Sequence, residues 1–252
     1  METPILQVSN INKSFGRVRA LRDVSFSVAC GAIIGLVGPN GAGKSTTMKV
    51  ITGVTEPDVG EVKVAGETVT MQRRHALANV GALIENPGLY AYVTGWDNLK
   101  LYAEVAGISD NKITEIVTQL GLVEFINKKV KTYSWGMKQR VGVAMAMAMA
   151  MANDPDLLLL DEPLNGMDPV SAEAVKAVLR DWRDAGKTIL ISSHTVRDLE
   201  GLVDDYIFID RGEIISRDEI LTAADGKVDP DLEEMFADVI ARRKQQGVGD
   251  VD

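Results

Sequence analysis

Short apolar runs alternate along this chain with stretches whose apolar residues recur at helical spacing. The β-rich runs are Val24–Val28, Ala32–Val37, Gly81–Ile84, Leu157–Asp161, Thr188–Ser192 and Tyr206–Ile209. This alternation predicts α/β architecture around a largely parallel sheet. An antiparallel β region near the N-terminus is also expected. The leucines from Leu157 to Leu160 show no period of two. Both faces of that strand should therefore be buried, which places it at the centre of the sheet. Between about Leu89 and Pro155 the pattern turns helical, with candidates at Trp96–Ala106, Asn111–Leu120 and Ser134–Met151. It reads as a helical lobe, about residues 89–155, inserted between two strands. Ala144 to Ala152 alternate Ala and Met. Both are helix formers and both are apolar, so the alternation carries no strand signal and predicts a helix packed on several sides. After Arg217 the chain becomes acidic and helix-forming, with Leu232, Met235, Phe236 and Val239 as an apolar stripe and a fraying end at QQGVGDVD. The expected division is a main domain over 1–222 and a C-terminal helix and tail over 223–252.

Composition narrows this picture. Apolar residues make up 46% and charged residues 25% of the 252, which predicts a real core and room for one well-packed domain with an insertion. A formal net charge of -9 argues against a nucleic-acid-binding face, which needs clustered Lys and Arg. Cys30 is the only cysteine. No internal disulfide can form, a reducing compartment is compatible, and Cys30 itself reads as a small buried apolar residue. The longest apolar run, Val141 to Ala152, falls short of the ~18–20 residues that cross a bilayer. METPILQVSN shows neither a basic start nor an apolar signal core. If the protein serves a membrane, the spanning helices are expected on another chain.

Gly38-Pro39-Asn40-Gly41-Ala42-Gly43-Lys44-Ser45 fits G-x-x-x-x-G-K-[ST], after an apolar strand and before a helical segment. Gly41 and Gly43 let the backbone wrap phosphates so that successive N–H groups and the helix N-terminus face the anion. Lys44 then reaches the β- and γ-phosphates, and the Ser45 hydroxyl is a ligand for Mg²⁺. Alone, the loop indicates an NTPase and nothing narrower.

Asp161 and Glu162 end the leucine strand at the carboxyl edge of the sheet, where open α/β folds bind ligands. Neighbouring carboxylates there point in different directions. Asp161 is assigned to Mg²⁺ and Glu162 to the attacking water, as general base or orienting group. His194 closes the strand that starts at Thr188 and faces the same edge, so it is a candidate for holding the γ-phosphate and the water. A lone histidine is more often structural, and His75, beside Arg73 and Arg74, reads as surface.

Together these pieces resemble the nucleotide-binding domains of ABC ATPases over nearly the whole chain. Tyr133-Ser134-Trp135-Gly136-Met137-Lys138-Gln139-Arg140 is similar to the family's signature sequence. Ser134 sits as a helix N-cap, and its hydroxyl with the helix N-terminus forms a second anion site. The resemblance implies a P-loop NTPase core that binds ATP through Gly38 to Thr46, with the γ-phosphate capped by Ser134, Trp135, Gly136 and Met137 of a partner subunit. It also implies that Asn165-Gly166-Met167-Asp168 crosses the dimer seam, that Phe15 stacks on adenine and that Glu85 senses Mg²⁺ and the membrane partner. From the residue pattern alone Phe15 would be a core residue.

There are departures from the family pattern. Trp135 stands where the family has glycine and Met137 where it has glutamine, which restricts close backbone approach and removes a polar contact. Glu85 replaces a glutamine, keeping an oxygen ligand but losing the amide donor. The segment Gly81 to Tyr90 is similar to that of bacitracin and lantibiotic exporters. From Arg140 to Asp161 the chain is about four residues longer than the family norm, close to the ~3.6 of one helical turn. Tyr90, Tyr92, Trp96 and Tyr102 crowd one stretch. There the family receives a helix of the membrane subunit, and burial within the lobe is an equal reading.

The implied function is an ATPase subunit that dimerises around two ATP molecules, with itself or a paired subunit, to drive transport through a separate permease. Its place is cytoplasmic, on the inner face of the membrane, and export of a drug or peptide antibiotic is the expected direction. Two alternatives stay open at this point: a soluble ABC ATPase with an assembly or scaffold role, and a binding-only subunit. Phosphate release by the purified protein separates the second from the others.

Overall fold

The computed structural model describes residues 3–70, 75–78, 80–105, 107–151, 157–223 and 231–246. Strands β1 (Leu6–Phe15) and β2 (Val18–Val28) form a hairpin through Gly16, whose φ of 59° suits the tight turn. Leu6 and Val8 are buried while Gln7 between them is exposed, the period of two that a half-buried strand requires. β4 (Val59–Val64) pairs with β1 and β5 (Glu67–Thr68) with β4, giving an antiparallel sheet of order β2-β1-β4-β5.

The second sheet has the order β10-β9-β3-β8-β7-β6. It uses β3 (Ile33–Val37), β6 (Val80–Leu83), β7 (Leu157–Leu160), β8 (Thr188–Ser193), β9 (Asp205–Asp210) and β10 (Glu213–Ile215). All its pairings are parallel except β9 with β10. The leucine strand β7 is buried throughout, as its sequence requires, but it lies between β8 and β6, one strand in from the edge. What buries it is two separate cores. Leu158 and Leu160 face one with Ile189 and Ile191 of β8, and Leu157 and Leu159 face the other with Leu190. Each strand thus feeds both layers by alternation, and a run of leucines serves as well as an amphipathic pattern.

The first of these cores is closed by helices. α2 (Gly95–Val105), α3 (Asp110–Gln119) and α4 (Trp135–Met151) all lie in the chain between β6 and β7, close to the helices read from sequence. Ala144 to Ala148 of the Ala-Met repeat are buried in α4, and Met149 emerges to solvent. α5 (Pro169–Asp184) packs Val175, Val178, Leu179 and Trp182 on the same core. The sequence pattern had not singled it out, although Asp168 caps it, Pro169 opens it and the apolar spacing of three and four follows. α6 (Arg217–Thr222) and α7 (Leu232–Gln246) are the last helices among the described residues. In α7 the apolar stripe buries Phe236 and Val239, with the Phe236 ring 5.0 Å from that of Phe208 on β9. The second core is closed by α1 (Lys44–Ile51), through Met48, Val50 and Ile51, and by the antiparallel sheet.

Cys30 corrects the reading from sequence: it is exposed, in the link between β2 and β3, with its sulfur 3.9 Å from the Thr3 carbonyl. Phe15 is likewise no core residue, being 50% exposed at the end of β1. His75 lies on the surface as expected, in a short 3₁₀ turn, while Arg73 and Arg74 lie outside the described residues.

The two-core arrangement predicts a contrast. Leu159→Ala opens a cavity that no layer can collapse into and costs about 2–5 kcal/mol. Met149→Ala at the exposed end of the repeat stays within about 0.5 kcal/mol. Urea unfolding midpoints of the two variants check it.

Candidate nucleotide-binding site

The site follows from sheet order. β3, β8 and β7 are adjacent and parallel, so the residues that follow their carboxyl ends emerge side by side. Those residues are the 38–43 loop, His194, and the Asp161-Glu162 pair. The loop turns because Gly41 and Gly43 have φ of 81° and 110°, where a side chain is strained. A Cβ on Gly38 would stand 2.2 Å from the Ile209 carbonyl oxygen, so the loop can lie this close to β9 only as glycine. Gly43 caps α1 without a side-chain bond, which leaves the first N–H groups of that helix open to an anion.

Lys44 is buried, and its ammonium is fully engaged within the chain. It donates to the carbonyls of Gly38 at 2.6 Å and Pro39 at 3.2 Å and lies 3.2 Å from Glu162 Oε1. Glu162 Oε2 is in turn 2.8 Å from His194 Nδ1. The three candidate catalytic side chains are therefore one contiguous chain of contacts, ammonium to carboxylate to imidazole. Glu162 sits at φ 50°, a left-handed conformation that aims its carboxylate back over the loop, and its N–H donates to Ser192 Oγ at 3.0 Å. The Ser192 hydroxyl donates to Asp161 Oδ1, which holds that buried carboxylate behind the loop. Ser192 was not a candidate from sequence. Nothing local marks it, because its role arises from the register of β8 beside β7.

A cleft of about 480 Å³ opens over Lys44 and Glu162. Asn40 to Thr46, including the half-buried Ser45 and Thr46, form its floor, and Glu162 and Asn165 one wall. Val18, Arg19 and Arg22 of β2, with Arg211, form the other. The arginines make the cleft cationic within an acidic protein. They too escaped sequence reading, since they are scattered over a hairpin strand and the β9–β10 turn. Phe15 stands beside the cleft: it pairs with Val18 across the hairpin turn, and the Lys13 ammonium lies 5.5 Å from its ring centre.

The remaining candidates lie apart from this cluster. Glu85, at φ 59°, pairs with Lys49 of α1 at 2.5 Å. Lys49 is one helical turn beyond Ser45 and on its face, so the contact ties Glu85 to the helix that carries the loop's serine. Ser134 to Met137 do not line the cleft. Ser134 Oγ accepts from the Met137 N–H at 3.2 Å and caps α4, as its place in the sequence implied. A Cβ on Gly136 would stand 2.8 Å from the Gly166 carbonyl oxygen, and one on Gly166 2.4 Å from Trp135 Cδ1. Trp135 thus lies over a glycine at φ 72°, and the 134–137 turn packs against the 165–168 loop. Asp168 closes that loop as the cap of α5, accepting from the Ser171 N–H at 2.9 Å. The Ser171 hydroxyl first and then this N–H hold the Asp168 carboxyl below its ordinary range.

Residues 21–165 match the model of the ABC transporter family. The chain belongs to that family. It is 36% identical over 242 residues to the lantibiotic transport ATP-binding protein SrtF of Streptococcus pyogenes, covering 96% of this chain and all of SrtF. It is 34% identical to the bacitracin transport ATP-binding protein BcrA of Bacillus licheniformis, over 84% of this chain and 68% of that one. A solved structure of the ATP-binding subunit of an ABC transporter superposes with a TM-score of 0.80 at 26% identity, covering 94% and 99% of the two chains. This ABC cassette binds and hydrolyses ATP. No helix among the described residues is long and apolar enough to cross a membrane.

The Gly38 contact gives a direct test of that cleft. Gly38→Ala should leave far-UV circular dichroism near that of the parent yet weaken ATP binding by more than about tenfold, as the methyl pushes the loop off β9. Titration with a fluorescent ATP analogue measures it.

Proposed function

We propose that two copies of this cassette, or one copy and a paired subunit, close around two ATP molecules, and that a separate permease converts closure and reopening into export. The observation that carries this reading is the Lys44–Glu162–His194 chain at the carboxyl edge of the parallel sheet. In it the triphosphate takes the place that the Glu162 carboxylate holds against Lys44. Glu162, released from the ammonium, orients or deprotonates the attacking water, and His194 holds the γ-phosphate from the other side.

Ser45 and Asp161 are the proposed Mg²⁺ ligands, together with the phosphates and water. The donors fit a hard cation: a half-buried hydroxyl at the start of α1 and a buried carboxylate with one oxygen committed to Ser192. Mg²⁺ would supply charge neutralisation across the β- and γ-phosphates. Glu85 is proposed to act beside this set through its contact with Lys49. Gly38 to Thr46 cradle the phosphates, and Phe15, with an exposed face, stacks on adenine.

Ser134 to Met137 and Asp168 are proposed to meet the nucleotide held by the opposite subunit. Their mutual packing through Trp135 and Gly166 supports a single seam built from both loops. Of the four crowded aromatics, Tyr90 and Tyr92 are exposed, while Trp96 and Tyr102 pack partly into the lobe. The two tyrosines, with Val105 exposed at the end of α2, are the proposed contact with the permease, on the cytoplasmic face of the membrane. SrtF and BcrA are named for lantibiotic and bacitracin transport. Their similarity supports a peptide antibiotic or drug as cargo.

Glu162→Gln removes the charge that engages both Lys44 and His194. Turnover should fall by about 10²–10⁴-fold. ATP binding should hold or tighten, and the variant should elute as a dimer from size exclusion in Mg-ATP. A variant that binds ATP yet remains monomeric would count against the two-copy mechanism.

A further inference from the structure

His194 is followed by a segment whose backbone donors divide between local and distant partners. Ser193 Oγ accepts from the Thr195 N–H at 3.1 Å and donates to Asp198 Oδ2 at 3.1 Å, and Thr195 Oγ1 accepts from the Asp198 N–H at 3.3 Å. The N–H groups of Val196 and Arg197 instead turn to a single atom far along the chain. Glu233 Oε2 accepts both, at 2.6 and 3.0 Å. Glu233 lies in the first turn of α7, where the helix dipole favours a carboxylate. Asp231 already caps that helix by accepting from the Glu234 N–H at 2.8 Å, so Glu233 is free to face the segment. Phe236, one turn further on, anchors α7 against Phe208.

We infer that Glu233 is a positioning residue for the ATPase reaction: it clamps the backbone two and three residues after His194 and so fixes the imidazole against Glu162. The inference rests on the proposed role of His194 at the γ-phosphate. A neutral acceptor suffices for the clamp, but its reach does not tolerate shortening. Glu233→Gln keeps an oxygen at the same distance along the side chain. Glu233→Asp keeps the charge and the helix-dipole interaction and draws the oxygen back by one methylene. A merely structural acidic residue would show the opposite ranking.

The test compares the parent, Glu233→Gln, Glu233→Asp, His194→Ala and the Glu233→Asp/His194→Ala double variant in the full chain. Mg-ATP turnover is read alongside amide hydrogen exchange of residues 194–199. Glu233→Asp should lower kcat by about tenfold, with KM within about twofold, because misplacement of a reacting group acts on the chemical step. Exchange at Val196 and Arg197 should quicken. Glu233→Gln should match the parent in both readouts, and Glu233→Asp should add nothing once His194 is gone. Equal loss in Glu233→Gln and Glu233→Asp, or independent losses in the double variant, would overturn the clamp. Faster exchange in Glu233→Asp at full turnover would do the same. Full turnover by His194→Ala would instead refute the role of His194 itself, so the two failures are distinct.

Discussion

A lysine ammonium removed from water needs anionic or dipolar partners, because an unpaired buried charge costs several kcal/mol. Lys44 meets that requirement with two loop carbonyls and the Glu162 carboxylate, and much of the site geometry is arranged to supply them. The loop must pass close to β9, so Gly38 cannot carry a side chain. Glu162 must point back over the loop, which its left-handed backbone allows, and Ser192 fixes the carboxylate before it. In the proposed mechanism the same requirement turns binding into activation. A triphosphate offers the ammonium more negative charge than one carboxylate, so it can replace Glu162 against Lys44 while the carboxylate keeps its contact with His194.

Much of this was legible in the sequence because it is local. The 38–45 loop, the leucine strand, the serine cap at 134 and the α7 stripe each depend on neighbouring residues, and the structure keeps them all. What escaped depends on register between distant segments. Ser192 matters because β8 lies beside β7, and Arg19, Arg22 and Arg211 because a hairpin and a turn meet over the loop. No spacing rule encodes either. Cys30 was misread for a different reason: thiols are usually buried, and only the place of the β2–β3 link at the surface sets this one outside. The helix α5 carried a cap, an opening proline and an apolar spacing that were sufficient to find it.

The substitutions in the signature segment look damaging until the 165–168 loop is included. Trp135 restricts backbone approach where the family has glycine, yet its ring lies where a Cβ on Gly166 would be. The bulk is absorbed by a neighbour that has none, and Gly166 needs to be glycine for its φ as well. Gly136 remains free of a side chain on the face toward Gly166. The two loops therefore form one packed unit. Asp168, held by Ser171, links that unit to the rigid α5.

The contact between Glu85 and Lys49 follows the same logic with charge in place of volume. Exposed ion pairs of this kind contribute roughly 0–1 kcal/mol, so stability does not account for a glutamate held at φ 59°. Geometry does. Glu85 leaves β6 at the point where the chain enters the helical lobe, and Lys49 lies on α1 one turn beyond Ser45. The Lys49 ammonium offsets the negative charge of the glutamate. It also ties the entrance of the lobe to the helix that carries Lys44 and Ser45. A carboxylate replacing glutamine at this position is tolerable where a cation stands within reach on α1. The departure at 85 and the lysine at 49 are thus best understood as one feature of this cassette.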